Sequence, residues 1–148
     1  MLPSSKNECV CKVIREAARS LTKEYDQALA PSGLKITQFG MLSVLEHMST
    51  ASVTQLSSFL DLDQTTVTRN LNILEELGLI TRAPHDDPRV KLVRLTALGK
   101  QKRQKATQYW QKVQNKIKSS ISEQEWKTFQ KVLQKIENEC TSDKYEHL

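Results

Sequence analysis

Two helical patterns joined by a short turn occupy residues 52–78, which read SVTQLSSFLDLDQTTVTRNLNILEELG. The first pattern opens with Ser52 and Gln55 at the spacing of a capping box, in which the two residues satisfy each other's backbone amides. Asp63 can cap the second pattern, and Gly78 stands where a left-handed residue ends a helix. The sequence therefore predicts a short helix, a tight turn and a longer helix, the arrangement of a helix-turn-helix.

The longer of these helices has two different faces at 100° per residue. Its apolar face consists of Val67, Leu71 and Leu74. The opposite side carries hydroxyl, amide and charged side chains: Thr65, Thr66, Thr68, Arg69, Asn72 and Glu76. In a major groove an arginine can pair with guanine, and a threonine can touch a base edge or a thymine methyl group. This face therefore predicts a recognition helix; an ordinary amphipathic helix with a solvated, threonine-rich face is the alternative.

A predicted β-hairpin follows directly. Residues 79–83 and 90–95 are β-prone, and the turn between them contains Asp87, Pro88 and Arg89. A hairpin after a helix-turn-helix is a wing, and this one is basic: Arg89 at the tip, with Arg82, Lys91 and Arg94 on the arms. We expect Arg89, oriented by Asp87, to enter a minor groove and the other basic residues to meet phosphates. A solvated charged turn is the alternative.

Length and composition limit the classes of protein that this chain can form. Its 148 residues suffice for one domain with a core. An excess of 22 Lys and Arg over 17 Asp and Glu gives a net charge of +5, which suits a polyanionic partner without requiring one. Four Gly and four Pro favour a mainly helical fold. Because we find neither a signal peptide nor an apolar stretch of ~20 residues, we predict a cytoplasmic protein without a membrane partner.

Four short motifs, taken in order, resemble those of the MarR family of bacterial transcriptional regulators. They are Thr66-Val-Thr-Arg-Asn-Leu71, Leu74-Glu-Glu-Leu-Gly-Leu-Ile80, Asp87-Pro-Arg89 and Leu95-Thr-Ala-Leu-Gly99. The resemblance covers nearly the whole chain. It implies an obligate dimer, a recognition helix in the major groove and a wing arginine, Arg89 beside Asp87, in the minor groove. It also implies a cleft that accepts a small aromatic effector.

The two ends of the chain carry apolar faces at helical spacing. The first helix is expected to start at Asn7, with the stripe Val10, Ile14, Ala17, Leu21 and Ala28. Two more helices are expected after Thr96, the second capped by Ser122 and Glu125. Their apolar faces comprise Leu98, Tyr109, Trp110, Val113, Ile117 and Ile121, then Trp126, Phe129, Leu133, Ile136 and Cys140. Such faces need a partner surface, which predicts a homodimer; packing against the DNA-binding lobe of the same chain is the alternative.

Three cysteines in a chain without an export signal argue against a disulfide framework. Cys9 and Cys11 fall in the first turn of the first helix and face different sides, so they cannot bond without unwinding it. Cys11 and Tyr25 resemble the thiol and a contacting tyrosine of the organic-hydroperoxide-sensing branch of the family, whereas Ile36 stands where that branch has a second tyrosine. A structural Cys11 is the alternative. The scattered Cys and His residues lack metal-ligand spacing, so we predict no metal and no other cofactor.

The sequence thus predicts a mainly α protein with a small β-hairpin wing. Within a single domain, 1–148, a winged helix-turn-helix lobe spans 37–95 and dimerisation helices span 7–30 and 96–141. The predicted function is a dimeric repressor that binds double-stranded DNA at a pseudo-palindromic operator, with an affinity modulated by a small molecule or by cysteine oxidation. We predict no catalytic residues, because no nucleophile paired with a base and no phosphate loop is recognisable. A helical protein-interaction module is the alternative, although it leaves the Thr/Arg face and charged wing unexplained.

Overall fold

The computed structural model describes residues 9–141, in which helices alternate with three short strands. The elements are α1 (Val10–Leu29), α2 (Ile36–Met48), β1 (Thr50–Ser52), α3 (Val53–Leu60), α4 (Gln64–Glu76), β2 (Ile80–Arg82), β3 (Leu92–Leu95), α5 (Ala97–Ser119) and α6 (Glu123–Thr141). A single 3₁₀ turn, Ala30–Ser32, follows α1. The mainly helical fold class with a small β wing is confirmed.

The starts of the first two helices differ slightly from the sequence expectation. Asn7, the predicted cap of α1, lies outside the described residues; Cys9 occupies the N-cap position. The second helix begins at Ile36, one residue before the expected Thr37, because the Ile36 amide donates to Asp26 Oδ1 at 2.8 Å. Asp26 belongs to α1, so the residue that caps α2 lies ten positions earlier in the chain. The sequence around the start of α2 therefore could not predict this contact.

The helix-turn-helix forms as predicted from its caps. Ser52 Oγ accepts from the Gln55 amide at 3.1 Å, and Gln55 Oε1 accepts from the Ser52 amide at 2.9 Å. The turn passes through Asp61 in the left-handed region, at φ 52°. Asp63 Oδ1 then accepts from the Thr66 amide at 2.8 Å and starts α4. Gly78, at φ 70°, follows the end of α4, as expected.

The sheet contains a strand that the sequence analysis missed. Its order is β1–β3–β2, with both pairs antiparallel, so the wing hairpin is extended by Thr50–Ser52. Ala51 lies opposite Val93, and both are fully buried. A three-residue strand is too short to show an alternation, and its partner lies 40 residues further along the chain. The two expected arms of the hairpin shorten to Ile80–Arg82 and Leu92–Leu95.

A compact junction joins the wing to α5. Thr96 Oγ1 donates to the Gly78 carbonyl at 2.6 Å and accepts from the Gly99 amide at 3.0 Å. A Cβ at Gly99 would overlap the Leu79 carbonyl group, so the close approach of α5 to the start of the wing requires glycine there. The residues Thr96 and Gly99 of the fourth sequence motif thus have a structural explanation.

The core of the lobe lies beneath α2, α3, α4 and the sheet. Its fully buried side chains include Leu42, Leu56, Leu71 and Leu74. The three residues expected on the apolar face of α4, Val67, Leu71 and Leu74, are all buried. Burying a leucine side chain contributes about 1.5–3 kcal/mol, so these contacts hold α4 firmly while its other face remains in solvent.

The described chain divides into two compact units, one ending at Val113 and the other starting at Gln114, inside α5. In the first, the rings of Phe39 and Trp110 stack with centroids 5.9 Å apart. In the second, the predicted cap of α6 is confirmed: the Ser122 amide donates to Glu125 Oε2 at 2.8 Å. Within residues 9–141, no helix has both the length and the apolar character that a membrane crossing needs.

Candidate nucleic-acid interface

The outward face of α4 is exposed and rich in hydrogen-bonding groups. Four predicted residues are exposed on this face: Thr65, Thr68, Arg69 and Asn72. Together with Gln64 they line a shallow depression of the surface. Thr66 is instead half-buried, and its hydroxyl donates to Asp63 Oδ2 at 2.7 Å, so it takes part in capping α4.

Arg69 is the positively charged residue of this face. Within residues 9–141, its guanidinium makes no ion pair with a carboxylate. A guanidinium presents five donors and no acceptor, in a fork that matches the O6 and N7 atoms of guanine. Arg69 therefore has its hydrogen-bonding capacity available for an external acceptor.

A polar network ties α4 to the wing. Lys91 Nζ donates to Asn72 Oδ1 at 3.0 Å and lies 3.7 Å from Glu75 Oε2. The other carboxylate oxygen of Glu75 lies 3.7 Å from Arg82 Nε, on β2. Lys91 and Arg82 were predicted on the wing, but the role of Glu75 was not, because both partners lie on other elements: Arg82 on β2 and Lys91 beyond the turn of the hairpin. These contacts hold the wing beside the outward face of α4.

The tip of the wing is organised by Asp87. Its Oδ1 accepts from the Arg89 backbone amide at 2.9 Å and from Arg89 Nε at 3.1 Å, and its Oδ2 accepts from Nη2 at 3.0 Å. These hydrogen bonds from Arg89 lower the pKa of the Asp87 carboxyl below its usual value. The expected orientation of the guanidinium by Asp87 is confirmed, while the Arg89 side chain stays 89% exposed.

His85 also takes part in the tip, which the sequence analysis did not anticipate. Its Nδ1 accepts from the Asp87 amide at 3.0 Å. Asp and Asn side chains commonly bond the backbone two residues further on, and His is not among these turn residues, so its residue type gave no signal. The remaining basic residue of the wing, Arg94, is exposed on β3.

The candidate regulatory residues lie elsewhere, on α1. Cys11 is exposed, as are Cys9 and Cys140. Tyr25 is half-buried, and burial raises the pKa of its phenol. Cys11 and Tyr25 lie on one continuous helix, so at 1.5 Å per residue they are about 21 Å apart. A contact between them within one chain is therefore excluded.

Among residues 9–141, no three His, Cys, Asp or Glu side chains cluster closely enough to hold a metal ion. The site that the structure assembles consists of hydrogen-bond donors on α4 and basic side chains on the wing. Its elements define the class of protein: a winged helix-turn-helix.

Comparisons with known proteins narrow this class to a family. The model of the MarR family matches residues 32–89. The HTH-type transcriptional regulator YwoH of Bacillus subtilis is 34% identical over 89 residues, which are 60% of this chain and 65% of that protein. The organic hydroperoxide resistance transcriptional regulator of B. subtilis is 32% identical over 98 residues. The match covers 66% of this chain and 67% of that protein. The chain thus spans about two thirds of these relatives.

A solved structure resembles the chain over more of its length. The M. tuberculosis transcriptional regulator MosR, in a complex with DNA, superposes with a TM-score of 0.79 and is 33% identical. The match covers 91% of this chain and 98% of that one. The chain belongs to the MarR family of transcriptional regulators.

Proposed function

We propose that this protein is a dimeric, sequence-specific repressor that binds double-stranded DNA through α4 and its wing. The observation that carries the proposal is the exposed donor face of α4, held beside a basic hairpin by the Lys91–Glu75 network. DNA bound to MosR, at 33% identity, supports the same partner for this chain. An interaction module without DNA does not require this face.

The recognition helix would supply base contacts and the wing would supply groove and phosphate contacts. Arg69 fits a guanine edge, with Thr65 and Thr68 beside it. Arg89, held by Asp87, fits a minor groove, where negative potential attracts a guanidinium. Arg82 and Lys91 stay predicted phosphate contacts, and both also serve the network to Glu75.

Dimerisation follows from the apolar faces that a single chain leaves in solvent. On α1, Val10 is 58% and Leu21 is 42% exposed; on α6, Phe129 is 50% exposed. A second copy related by a two-fold axis would cover such faces and place two recognition helices on one side of the duplex. The expected operator is then a pseudo-palindrome whose half-site centres lie about 10–10.5 bp apart.

The proposal also includes a signal that changes the affinity for DNA. The relative named for organic hydroperoxide resistance supports oxidation of Cys11 as the signal, and the exposed thiol is accessible to a peroxide. Since Tyr25 of the same chain is too far away, a thiol–tyrosine contact requires the second protomer. A small aromatic effector stays a prediction from the family resemblance.

The test is selection of bound sequences from random duplexes, followed by affinity measurements on the selected motif at several salt concentrations. We expect a two-fold-related motif and an affinity that falls as salt rises, because basic residues displace counterions from the phosphates. Binding that ignores salt, or no enriched motif, contradicts DNA recognition. An asymmetric motif, or half-sites separated by half a helical turn, contradicts only the dimeric arrangement.

A further inference from the structure

The carboxamide of Asn72 has two chemically different ends, and the one that is available to DNA decides which base it can read. Its carbonyl oxygen accepts hydrogen bonds, and its NH₂ group donates two. An asparagine that uses both ends pairs with adenine, accepting from N6 and donating to N7. Asn72 is exposed on the outward face of α4, among the residues that line its shallow depression.

In this protein the accepting end is already engaged. Lys91 Nζ donates to Asn72 Oδ1 at 3.0 Å. The Lys91 side chain is only 17% exposed, and Glu75 Oε2 lies 3.7 Å from the same nitrogen. The ammonium group is thus held by two partners on one turn of α4, and it does not extend freely into solvent. The second lone pair of Oδ1 lies beside the Lys91 ammonium, whose positive charge opposes another donor, whereas the Nδ2 group keeps both of its donors.

The pair therefore presents donors to an approaching base. An adenine amino group, itself a donor, would compete with the Lys91 ammonium for Oδ1. Guanine offers two acceptors in the major groove, N7 and O6, and no donor on that edge. The positive charge beside the carboxamide further favours these electronegative atoms.

We propose that Lys91 makes Asn72 a donor toward DNA and thereby selects guanine over adenine at the base that Asn72 contacts. The inference rests on the proposed function, because it refines how the same face reads a duplex. Lys91 acts here as a positioning residue, and Glu75 holds its ammonium in place. The wing thus sets the base preference at one position of the site through its contact with α4.

The experiment is sequence selection from random duplexes with the parent protein and matched variants. The position read by Asn72 is the one whose preference disappears in Asn72→Ala. There we expect the parent to prefer guanine over adenine about tenfold, which corresponds to about 1.4 kcal/mol. In Lys91→Met, we expect that position to move toward adenine while the others keep their preferences.

Three further variants sharpen the test. Asn72→Asp keeps an acceptor for Lys91 and replaces the donor by a second acceptor, so we expect a move toward cytosine, whose N4 group donates. Lys131→Met removes the same charge from α6, on the side opposite to Phe129 at 100° per residue, and we expect unchanged preferences. Glu75→Gln leaves Lys91 present but held less firmly, and we expect a smaller move toward adenine.

The outcomes separate the inference from the proposed function. A parent preference for adenine at the Asn72 position overturns the inference. So does a Lys91→Met protein that thermal unfolding shows to be folded and that loses affinity equally for every sequence, because Lys91 then acts on a phosphate alone and not through Asn72. If Lys91→Met does not fold, Asn72→Asp and Glu75→Gln provide the test. Unchanged preferences at the Asn72 position in these two variants then overturn the inference. A parent protein that enriches no motif overturns the proposed function itself.

Discussion

At the scale of single residues, the exposed arginines on α4 and on the wing differ in what surrounds them. Arg69 makes no ion pair among residues 9–141, whereas Arg89 is gripped by Asp87 through two side-chain hydrogen bonds. A guanidinium without a protein partner can adjust to a base edge, and one fixed by a carboxylate is presented in one orientation. This difference predicts different losses of specificity.

We expect Arg69→Ala to cost roughly 1–3 kcal/mol of binding free energy and to relax the base preference at one position, because a bidentate pair with guanine is lost. Arg89→Ala should also weaken binding, but its lost preference should lie at the outer, minor-groove flanks. Sequence selection with both variants measures these changes. If Arg69→Ala lowers the affinity equally for all sequences, Arg69 contacts a phosphate.

Oxidation of Cys11 should weaken DNA binding, and oxidation of Cys9 or Cys140 should not. All three thiols are exposed, so accessibility does not separate them. Cys11 borders the apolar stripe of α1, and it alone resembles the sensing thiol of the hydroperoxide branch. A sulfenic acid or mixed disulfide there adds polarity and bulk where two protomers would pack. We expect Cys11 to be oxidised slowly, because Ile36 stands where the hydroperoxide-sensing branch of the family has a second tyrosine. The measurement is DNA affinity before and after organic peroxide, with thiol counting.

The three serine variants provide the controls. Cys11→Ser should bind DNA with or without peroxide, and Cys9→Ser and Cys140→Ser should respond as the parent does. If the oxidised parent protein binds DNA with unchanged affinity, Cys11 has a structural role and is not a sensor. A Cys11→Ser protein that still responds places the sensor at another residue.

At the scale of secondary-structure elements, two helices of the DNA-binding lobe start with different caps. The cap of α4 is the ionisable Asp63, and the cap of α3 is the neutral Ser52. Hydrogen bonds from the hydroxyl and amide of Thr66 lower the pKa of the Asp63 carboxyl. Protonation must therefore weaken one cap and leave the other unchanged.

We expect the stabilisation by Asp63, measured as the difference in unfolding free energy between the parent and Asp63→Ala, to depend on pH. A carboxyl whose pKa is lowered by folding stabilises the protein above its unfolded pKa of about 3.9. That stabilisation is lost as pH falls through the lower folded pKa. Urea unfolding at a series of pH values measures it. Ser52→Ala should cost about 1 kcal/mol at every pH. Equal pH dependence in both variants would refute the assignment.

The junction between the wing and α5 depends on a missing side chain. We expect Gly99→Ala to destabilise the protein by several kcal/mol, since its Cβ would overlap the Leu79 backbone, which cannot move like a flexible side chain. Gly40→Ala, inside α2, meets only Leu60 Cδ2 at 3.4 Å and gains helix propensity of up to about 1 kcal/mol. Thermal unfolding of both variants compares them. A Gly99→Ala protein as stable as the parent would contradict the close approach.

At the scale of the whole molecule, the proposed assembly depends on apolar surface that one chain cannot cover. No residue of α6 within the described chain is buried, although Trp126, Phe129 and Val132 are large and apolar. We expect sedimentation at micromolar concentration to give twice the mass of the 16.9 kDa chain. Phe129→Glu should give monomers, because it places a charge inside the interface.

A matched variant tests the position of the charge. Gln134→Glu adds the same charge to α6 on the opposite side of the helix at 100° per residue, and it should leave the dimer intact. A parent protein that sediments as a stable, folded monomer throughout would remove the dimer. If both variants dissociate into monomers, the added charge on α6 controls the assembly wherever it lies, and the apolar face does not.

The amino-acid sequence by itself determined the features whose partners lie within a few residues. Ser52 with Gln55, Asp63 with Thr66 and Asp87 with Arg89 interact across two or three positions, so residue types and spacing suffice to predict their contacts. The helical period of α4 likewise predicted its buried and exposed faces. These local features defined the winged helix-turn-helix and its candidate DNA-binding residues.

Only the tertiary structure decided what distant segments do to one another. The pairing of β1 with β3, the contact of Lys91 with Asn72 and the approach of Gly99 to Leu79 join residues 19 or more positions apart. Such contacts arise when the core folds and brings chain segments together, and no periodicity encodes which partners meet. The sequence therefore predicted Asn72 as a DNA-binding residue, and the fold decided that its carbonyl oxygen accepts from Lys91.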